Sequence, residues 1–349
     1  MIAFTRYLYV KQDVETALIL SLLDKDKERS LFWAYELFHS GFYHETIRLL
    51  WNIYYGFYAL HAPSLESYFK KRISHDPTNE ELEKYVGMMV TNLLVSAFDT
   101  QVFRLSGLVH HNDEILTSSY DELEKHLHDR NYLLIARSLF HLCQYPKKIA
   151  GLKKKLSSFF KEKGILRPVF VLPYYNVSWF VVFLSHIVLY LQEIDVNTNQ
   201  TKSAEKKIYI AVDEKILHEY RNIEISEHET PHILFPKLVK FSPRSSEFYT
   251  AFISPHQSLI LNEYRYNWLC NAYHMTPLWK WRVNQYGGTY DQESDTILWS
   301  TEEDEENFYS NYGYDVDEQP LEIQNNNIPS CRESQCKSLE SFYLHYNTL

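Results

Sequence analysis

Helix-starting and helix-ending signals recur through the first 165 residues, and these signals constrain the fold more than any other feature. Thr78 and Ser119 each stand three residues before a glutamate, the capping-box form that begins a helix. Gly41 and Gly164 each follow a run with helical spacing, where glycine commonly ends a helix. The intervals predict about seven or eight helices of roughly 10–20 residues joined by short connections, which is typical of a helical array or bundle.

Within this region, residues 42–61 form the most apolar run. Its apolar side chains fall at nearly every turn of a helix, which predicts burial on more than one side. Further upstream, Asp13 precedes the helical spacing of Val14, Ala17, Leu18 and Leu22, and it is expected to cap that helix.

After Gly164 the pattern changes to short apolar runs rich in residues that favour strands. These runs are 169–172, 208–212, 233–241 and 248–253. Helical spacing resumes near 257–272 and after Pro277, and short runs at Tyr290 and 297–299 predict a hairpin. Thr301 is expected to cap an acidic helix that extends to Tyr312.

The predicted fold class is therefore mainly α: an N-terminal multi-helix array or bundle with a mixed α+β C-terminal half. We place the domain boundaries from these pattern changes. They give a helical domain at 1–164, a mixed α+β domain at 165–286, an acidic aromatic hairpin and helix segment at 287–325, and a loosely ordered tail at 326–349.

One segment, 168–192, contains no charged side chain and has to be considered as a membrane span. A span needs about 20 apolar residues, and Pro173 and Asn176 interrupt this run. The uninterrupted remainder, 177–191, suits a buried strand followed by a buried helix, so we expect no membrane association.

Catalytic and cofactor motifs are absent from the sequence. No phosphate-binding glycine loop, dinucleotide fingerprint or nucleophile elbow occurs, so we expect no cofactor and no catalytic residue, although an enzyme with a dispersed site stays an alternative. The pair Cys331 and Cys336, with His345, lacks a fourth local zinc ligand, and His110 with His111 lacks a third. We expect no metal site. Four scattered cysteines and a first segment without an apolar run predict a reducing, intracellular location.

The net charge of −10 is concentrated in one segment. Residues 287–325 hold 12 Asp or Glu and no Lys or Arg, so the rest of the chain carries about +2. Aromatic residues interleaved with acids suit docking on a basic partner, and the alternative is that the aromatics pack on the body while the acids face water. The predicted protein-binding residues are Trp299, Glu302, Glu303, Asp304, Glu305, Glu306, Phe308, Tyr309, Tyr312 and Tyr314.

A second charged feature is the predicted helix at 147–163, which has seven Lys and one Glu opposite an apolar face. Clustered lysines can bind nucleic-acid phosphates without reading the base sequence. The alternative is the solvated face of an ordinary amphipathic helix. The predicted nucleic-acid-binding residues are Lys147, Lys148, Lys153, Lys154 and Lys155.

Several strings near the two ends of the sequence resemble uncharacterised proteins of the large nucleocytoplasmic DNA viruses (giant viruses). They are Phe4–Tyr9, Ser30–Leu37 with Ser40–Phe42, Leu50–Tyr58, Pro277–Trp279, Phe308–Tyr309 and Tyr312–Pro320. The resemblance brings no catalytic residues. It implies a virus-encoded protein acting in the host cytoplasm, at the viral factory.

The sequence thus favours a non-enzymatic interaction or scaffold protein that docks a protein partner through its acidic aromatic segment. The first alternative is a helical subunit of a viral transcription or translation-initiation complex that contacts RNA through 147–163. A virion structural protein is a further alternative.

Overall fold

The structure is a computed structural model that describes residues 3–7, 9, 11–74, 76–110, 119–166, 168–171, 177–197, 209–212, 215, 217 and 268–312. In its N-terminal half the elements are α1 (Lys11–Leu23), α2 (Lys27–His39), α3 (Tyr43–Ile53), a π-helical turn (Tyr54–Tyr58), α4 (Ser64–Lys71), α5 (Asn79–Val95), α6 (Gln101–His110), α7 (Tyr120–His128), α8 (Tyr132–Cys143) and α9 (Pro146–Glu162). They are followed by α10 (Trp179–Asn197), α11 (Trp268–Met275), α12 (Pro277–Gln285), β1 (Thr289–Asp291), β2 (Thr296–Leu298) and α13 (Glu302–Tyr312). The predicted fold class, a mainly α chain with a small mixed C-terminal region, is confirmed.

The local helix signals act as predicted, with one exception. The hydroxyls of Thr78 and Ser119 accept hydrogen bonds from the third backbone N–H of their helices, at 3.3 and 3.2 Å. Gly41 and Gly164 follow α2 and α9 with φ of +89° and +92°, a conformation that glycine adopts without strain. The expected capping role of Asp13 is wrong, because α1 already begins at Lys11.

The most apolar helix changes its winding before it ends. At Tyr54–Tyr58 the helix widens into a π-helical turn, closed by a 2.9 Å hydrogen bond from the Ala59 N–H to the carbonyl five residues earlier. All five residues of this turn are buried, so it lies inside the core.

Two clusters of buried side chains form the core. The first is built by α1–α5 and the π-helical turn together with α11, α12 and α13, and the second by α6–α10. The clusters meet at the start of α10, where Val181 packs against both. The proposed domain boundaries stay predictions, but the C-terminal elements share their core with the first five helices.

The strands predicted at 169–172 and 208–212 are wrong over their described residues, 169–171 and 209–212, which form neither strand nor helix. Their backbone groups bond instead to helix side chains. The Asn92 amide makes two hydrogen bonds to the Ile210 backbone, at 2.9 and 3.0 Å, and the Tyr190 hydroxyl makes two to Val169, at 2.8 and 3.2 Å. Side-chain amides and hydroxyls thus satisfy the polar groups that a neighbouring strand would otherwise satisfy. The runs at 233–241 and 248–253 lie outside the described residues.

The uncharged run that ends at residue 192 contributes helix α10, whose Phe183, Ile187 and Val188 are fully buried. None of the helices in the described part of the chain is long and apolar enough to cross a bilayer.

Candidate functional site

Residues from both ends of the described chain form one platform, which we define as residues 4–7 together with helix α12 and the preceding Thr276. The Thr276 hydroxyl donates to the Phe4 carbonyl at 2.5 Å, and the Trp279 indole N–H donates to the Thr5 carbonyl at 2.8 Å. All four of these residues are at most 1% exposed. The platform is therefore held by buried, fully paired polar groups rather than by surface contacts.

A buried ion pair ties the platform to helix α2. The Arg6 Nε atom lies 2.7 Å from Glu36 Oε2, and the Tyr7 backbone N–H donates to the other carboxylate oxygen at 3.0 Å. Arg282 lies nearby, and burial lowers the pKa of its guanidinium to about 10, so it stays charged at neutral pH. Its guanidinium carbon is 4.5 Å from the ring centres of both Trp279 and Tyr312. Arg282 therefore joins helix α13 to the platform by stacking on aromatic faces.

Helix α13 is anchored by its aromatic side chains. Phe308 is 0% exposed, and its ring centre lies 4.8 Å from Trp299 on the hairpin side and 5.9 Å from Tyr286 at the end of α12. Tyr312, one turn later, meets the edge of Trp279 at 6.5 Å. The spacing of four residues places Phe308 and Tyr312 on the face that packs on the platform.

The start of α13 is fixed by the predicted cap. Thr301 Oγ1 accepts the Asp304 backbone N–H at 3.1 Å and donates to the Asp304 carboxylate at 2.8 Å. Just before it, the Ser300 hydroxyl donates to the carbonyl of Gly287, which turns the chain with φ +68°. The position and direction of the helix are therefore determined by hydrogen bonds at its first turn as well as by packing.

The acids of α13 face solvent. Glu302, Glu303, Glu305 and Glu306 are exposed, and none of them forms an ion pair with a residue that the structure describes. Asp304 is half-buried and serves the cap. Four negative charges therefore face solvent on a helix whose position is fixed by packing and by hydrogen bonds.

The predicted docking residues thus divide into two groups. Phe308 is a core residue and has no surface to offer, and Trp299, Tyr309 and Tyr312 are half-buried against the same core. Tyr314 lies outside the described residues. Of the predicted docking residues on α13, a partner can contact mainly the four exposed glutamates and the accessible part of Tyr309. The spacing of Asp304, Phe308 and Tyr312 is the sequence signal that identifies the buried face.

Helix α9 holds the second predicted site. Its apolar face, formed by Ile149, Leu152, Leu156 and Phe159, is buried in the second core cluster. On the opposite side Lys147, Lys148, Lys154 and Lys155 are exposed and Lys153 is half-buried, and none of the five forms an ion pair with a described residue. Four of the five predicted residues are therefore accessible on α9, and Lys153 is half-buried.

Two of these lysines lie over aromatic rings. Lys148 Nζ is 4.5 Å from the ring centre of Tyr145, which is 44% exposed, and Lys155 Nζ is 4.1 Å from the ring centre of Tyr120. A positively charged surface with accessible rings can contact both the phosphates and the bases of a single strand.

The first turn of α9 carries positive charge, which is unfavourable at the positive end of a helix dipole. Lys147 and Lys148 follow Pro146 at the helix start, that turn has no acidic residue, and Tyr145 gives no side-chain cap. The partial positive charge of a helix N-terminus repels cations and attracts anions. This end of the helix is therefore destabilised by its own lysines and suited to bind an anion.

A third group of ionisable side chains is buried between α4, the π-helical turn and α10. Glu66 accepts hydrogen bonds from Tyr55 at 2.9 Å and Lys70 at 2.6 Å, and its second oxygen lies 3.0 Å from His186 Nε2. His186 Nδ1 lies 2.8 Å from the Val182 carbonyl, so both ring nitrogens have a hydrogen-bond partner. Burial alone would raise the pKa of Glu66, but His186 and Lys70 outweigh it and hold that pKa at about 2. Because both carboxylate oxygens are occupied, the group serves as a hydrogen-bonded link between α4, the π-helical turn and α10.

Among the described residues, no group of three or more His, Cys, Asp or Glu side chains is placed to hold a metal ion. The side chain of His110, together with His111, Cys331, Cys336 and His345, lies outside the described part. Comparison with protein families, curated protein sequences and solved structures finds no match to this chain.

Proposed function

We propose that this chain is a non-enzymatic interaction protein that docks a basic partner protein on the exposed glutamates of α13, in the cytoplasm of a virus-infected cell. The observation that carries the proposal is the separation of roles along this helix. Phe308 and Tyr312 fix it to the platform, while Glu302, Glu303, Glu305 and Glu306 are exposed and form no ion pair with a described residue. The viral setting rests on the sequence resemblance alone.

Rigid presentation of like charges favours binding for two reasons. Exposed, unpaired carboxylates raise the rate of encounter with a basic surface. A helix that is already ordered also loses little conformational entropy when a partner binds. The first two glutamates additionally stabilise α13 through the helix dipole, so the test has to separate stability from binding.

The test compares two variants with equal charge change. One replaces Glu302, Glu303, Glu305 and Glu306 by Gln. The other replaces exposed carboxylates outside the acidic segment, namely Asp76, Asp121, Asp129 and Glu162, by the corresponding amides. Affinity purification with mass spectrometry from infected cells should recover a basic partner with the wild-type chain and the second variant, and lose it with the first. Equal recovery by both variants would reject α13 as the docking surface, and thermal melting confirms that both are folded.

The second candidate function is binding of RNA or another polyanion through α9. The specific observation that favours it is the position of Lys147 and Lys148 at the helix start, where they reduce stability instead of adding to it. Such a position is not explained by an ordinary solvated face. A subunit of a viral transcription or translation-initiation complex would use a surface of this kind.

A salt titration tests this candidate with a single-stranded RNA oligonucleotide and fluorescence anisotropy. Replacing Lys147, Lys148 and Lys154 by Gln should weaken binding and reduce the slope of log affinity against log salt by about 2, since each phosphate contact contributes about 0.7. The matched control replaces exposed Lys27, Lys71 and Lys125 by Gln and should keep the slope. Binding that does not depend on salt, or that both variants retain equally, would rule out α9 as the site.

A further inference from the structure

A cavity of about 260 Å³ lies where the two core clusters meet. It is lined by α1, α3 and the π-helical turn on one side and by α6, α8 and the start of α10 on the other, and it opens to solvent beside the exposed Ser178. Most of its wall is aromatic or aliphatic, including Ile53, Phe57, Phe103, Phe140 and Phe180. Ligand sites commonly occupy such junctions between packed units.

The π-helical turn helps to make this space. A π-helical turn inserts an extra residue into the helix, and such turns are often found at functional sites. Gly56 lies in the turn and lines the cavity, and a Cβ atom added to it would meet no other atom within 4 Å. The open volume therefore begins directly at the Gly56 backbone.

Three polar side chains line the wall, namely Asn52, Ser106 and Ser178. The buried Oδ1 atom of Asn52 makes no hydrogen bond to any residue that the structure describes. The Ser106 hydroxyl also makes no hydrogen bond to any described residue, whereas Ser40, Thr46 and Ser96 each donate to the carbonyl four residues earlier. A buried polar group without a partner costs roughly 1–3 kcal/mol, which a ligand that pairs with it would recover.

We propose that this cavity binds a small, neutral, mainly aromatic molecule that carries one hydroxyl or amide group. Neutrality follows from the wall, which contains no ionisable side chain to compensate a charge. The size follows from the volume, since a cavity of about 150 Å³ holds one benzene ring and this one is larger. The hydroxyl or amide would pair with Ser106 and Asn52.

The first probe is 2-naphthol, which has two fused rings and one hydroxyl, with 2-naphthoate as its charged counterpart. Titration calorimetry of the full chain should give saturable binding of 2-naphthol with a dissociation constant on the order of 100 µM, together with a rise in Tm. The 2-naphthoate anion should bind at least about tenfold more weakly, because its carboxylate finds no cation. Absence of saturable 2-naphthol binding, or equal binding of the anion, would overturn the proposal.

Two glycine variants locate the binding. Gly56→Leu should fill the cavity and abolish binding of 2-naphthol. Gly151→Leu makes the same substitution on the exposed side of α9, again where an added Cβ meets no atom within 4 Å, and should leave binding unchanged. Binding that survives Gly56→Leu would show that the probe occupies another place and would overturn the assignment.

A third variant tests the polar contact. Ser106→Ala keeps the cavity volume but removes the hydroxyl, so affinity for 2-naphthol should fall about 3–10-fold while that for naphthalene stays the same. An equal loss for both probes would contradict the assigned hydrogen bond.

Discussion

The indole N–H of Trp279 donates to the backbone carbonyl of Thr5 at 2.8 Å, across 274 residues of sequence, and both residues are fully buried. This bond joins the first residues of the chain to the helix on which α13 rests. The orientation of the acidic surface therefore depends on a contact between segments that lie far apart in sequence.

Replacing Trp279 by Phe should lower the free energy of unfolding by roughly 1–3 kcal/mol, because the Thr5 carbonyl is left buried without a donor. Trp281→Phe, two residues later, is the control: Trp281 is 54% exposed, and its replacement should change stability by less than about 0.5 kcal/mol. Urea denaturation followed by circular dichroism measures both. Equal effects would contradict the role assigned to the Trp279–Thr5 bond.

Replacing Glu66 by Gln should destabilise the fold by roughly 1–3 kcal/mol, since it removes the carboxylate that pairs with Tyr55, Lys70 and His186. Glu80→Gln provides the control, because Glu80 likewise pairs with a lysine four residues later, but at the surface. That change should cost no more than about 0.5 kcal/mol.

Glu66 should also determine how stability depends on pH. Its pKa falls from an ordinary 4.5 to about 2 on folding, so the folded chain binds the proton less tightly than the unfolded chain. The stabilisation is complete above pH 4.5 and is lost as the pH falls towards 2. Wild-type unfolding free energy should decline more steeply than that of Glu66→Gln across this window, and parallel declines would contradict the assignment.

Lys147→Gln should raise the free energy of unfolding by about 0.3–1 kcal/mol, because a cation is removed from the positive end of the α9 dipole. Lys161→Gln, at the other end of the same helix, should lower it slightly, since a cation is favourable there. Thermal melting at low salt distinguishes the two signs. The same sign for both variants would show that the dipole does not explain the cost of Lys147.

Gly41→Ala should destabilise the fold by roughly 1–3 kcal/mol. Gly41 adopts φ +89°, and an added Cβ would lie 2.8 Å from the Pro277 Cβ at the start of α12. Gly151→Ala, in the exposed part of α9, should instead stabilise by up to about 1 kcal/mol through helix propensity. Chemical denaturation of the two variants decides whether Gly41 is needed for the close approach of α2 and α12.

The parts of this fold that the sequence predicts correctly are determined by neighbouring residues. The capping boxes at Thr78 and Ser119, the glycine stops and the hairpin need only a few residues of context. The predicted strands at 169–172 and 208–212 fail over their described residues because their backbones bond to Tyr190 and Asn92, on distant helices. No local pattern indicates such contacts.

In the candidate sites, too, the features that the sequence predicts are those determined by neighbouring residues. The spacing in 147–163 correctly separates the exposed lysines from the buried apolar face, because the helical period alone decides which side chains face the core. The acidic segment is predicted as a helix, but which aromatics remain accessible depends on its packing against Trp279 and Tyr286. The cavity beside Gly56 has no sequence signal, since it arises from the π-helical turn and from helices that meet only in the folded chain.

The measurement that tests the docking proposal most directly is zero-length carbodiimide cross-linking of the chain with its purified partner, read by mass spectrometry. This chemistry joins a carboxylate to an amine only where the two are in contact. We expect cross-links from Glu302, Glu303, Glu305 or Glu306 to lysines of the partner. These cross-links should be lost when the four glutamates are replaced by Gln. Cross-links confined to exposed carboxylates outside the acidic segment, such as Asp76 or Asp121, would contradict the docking proposal.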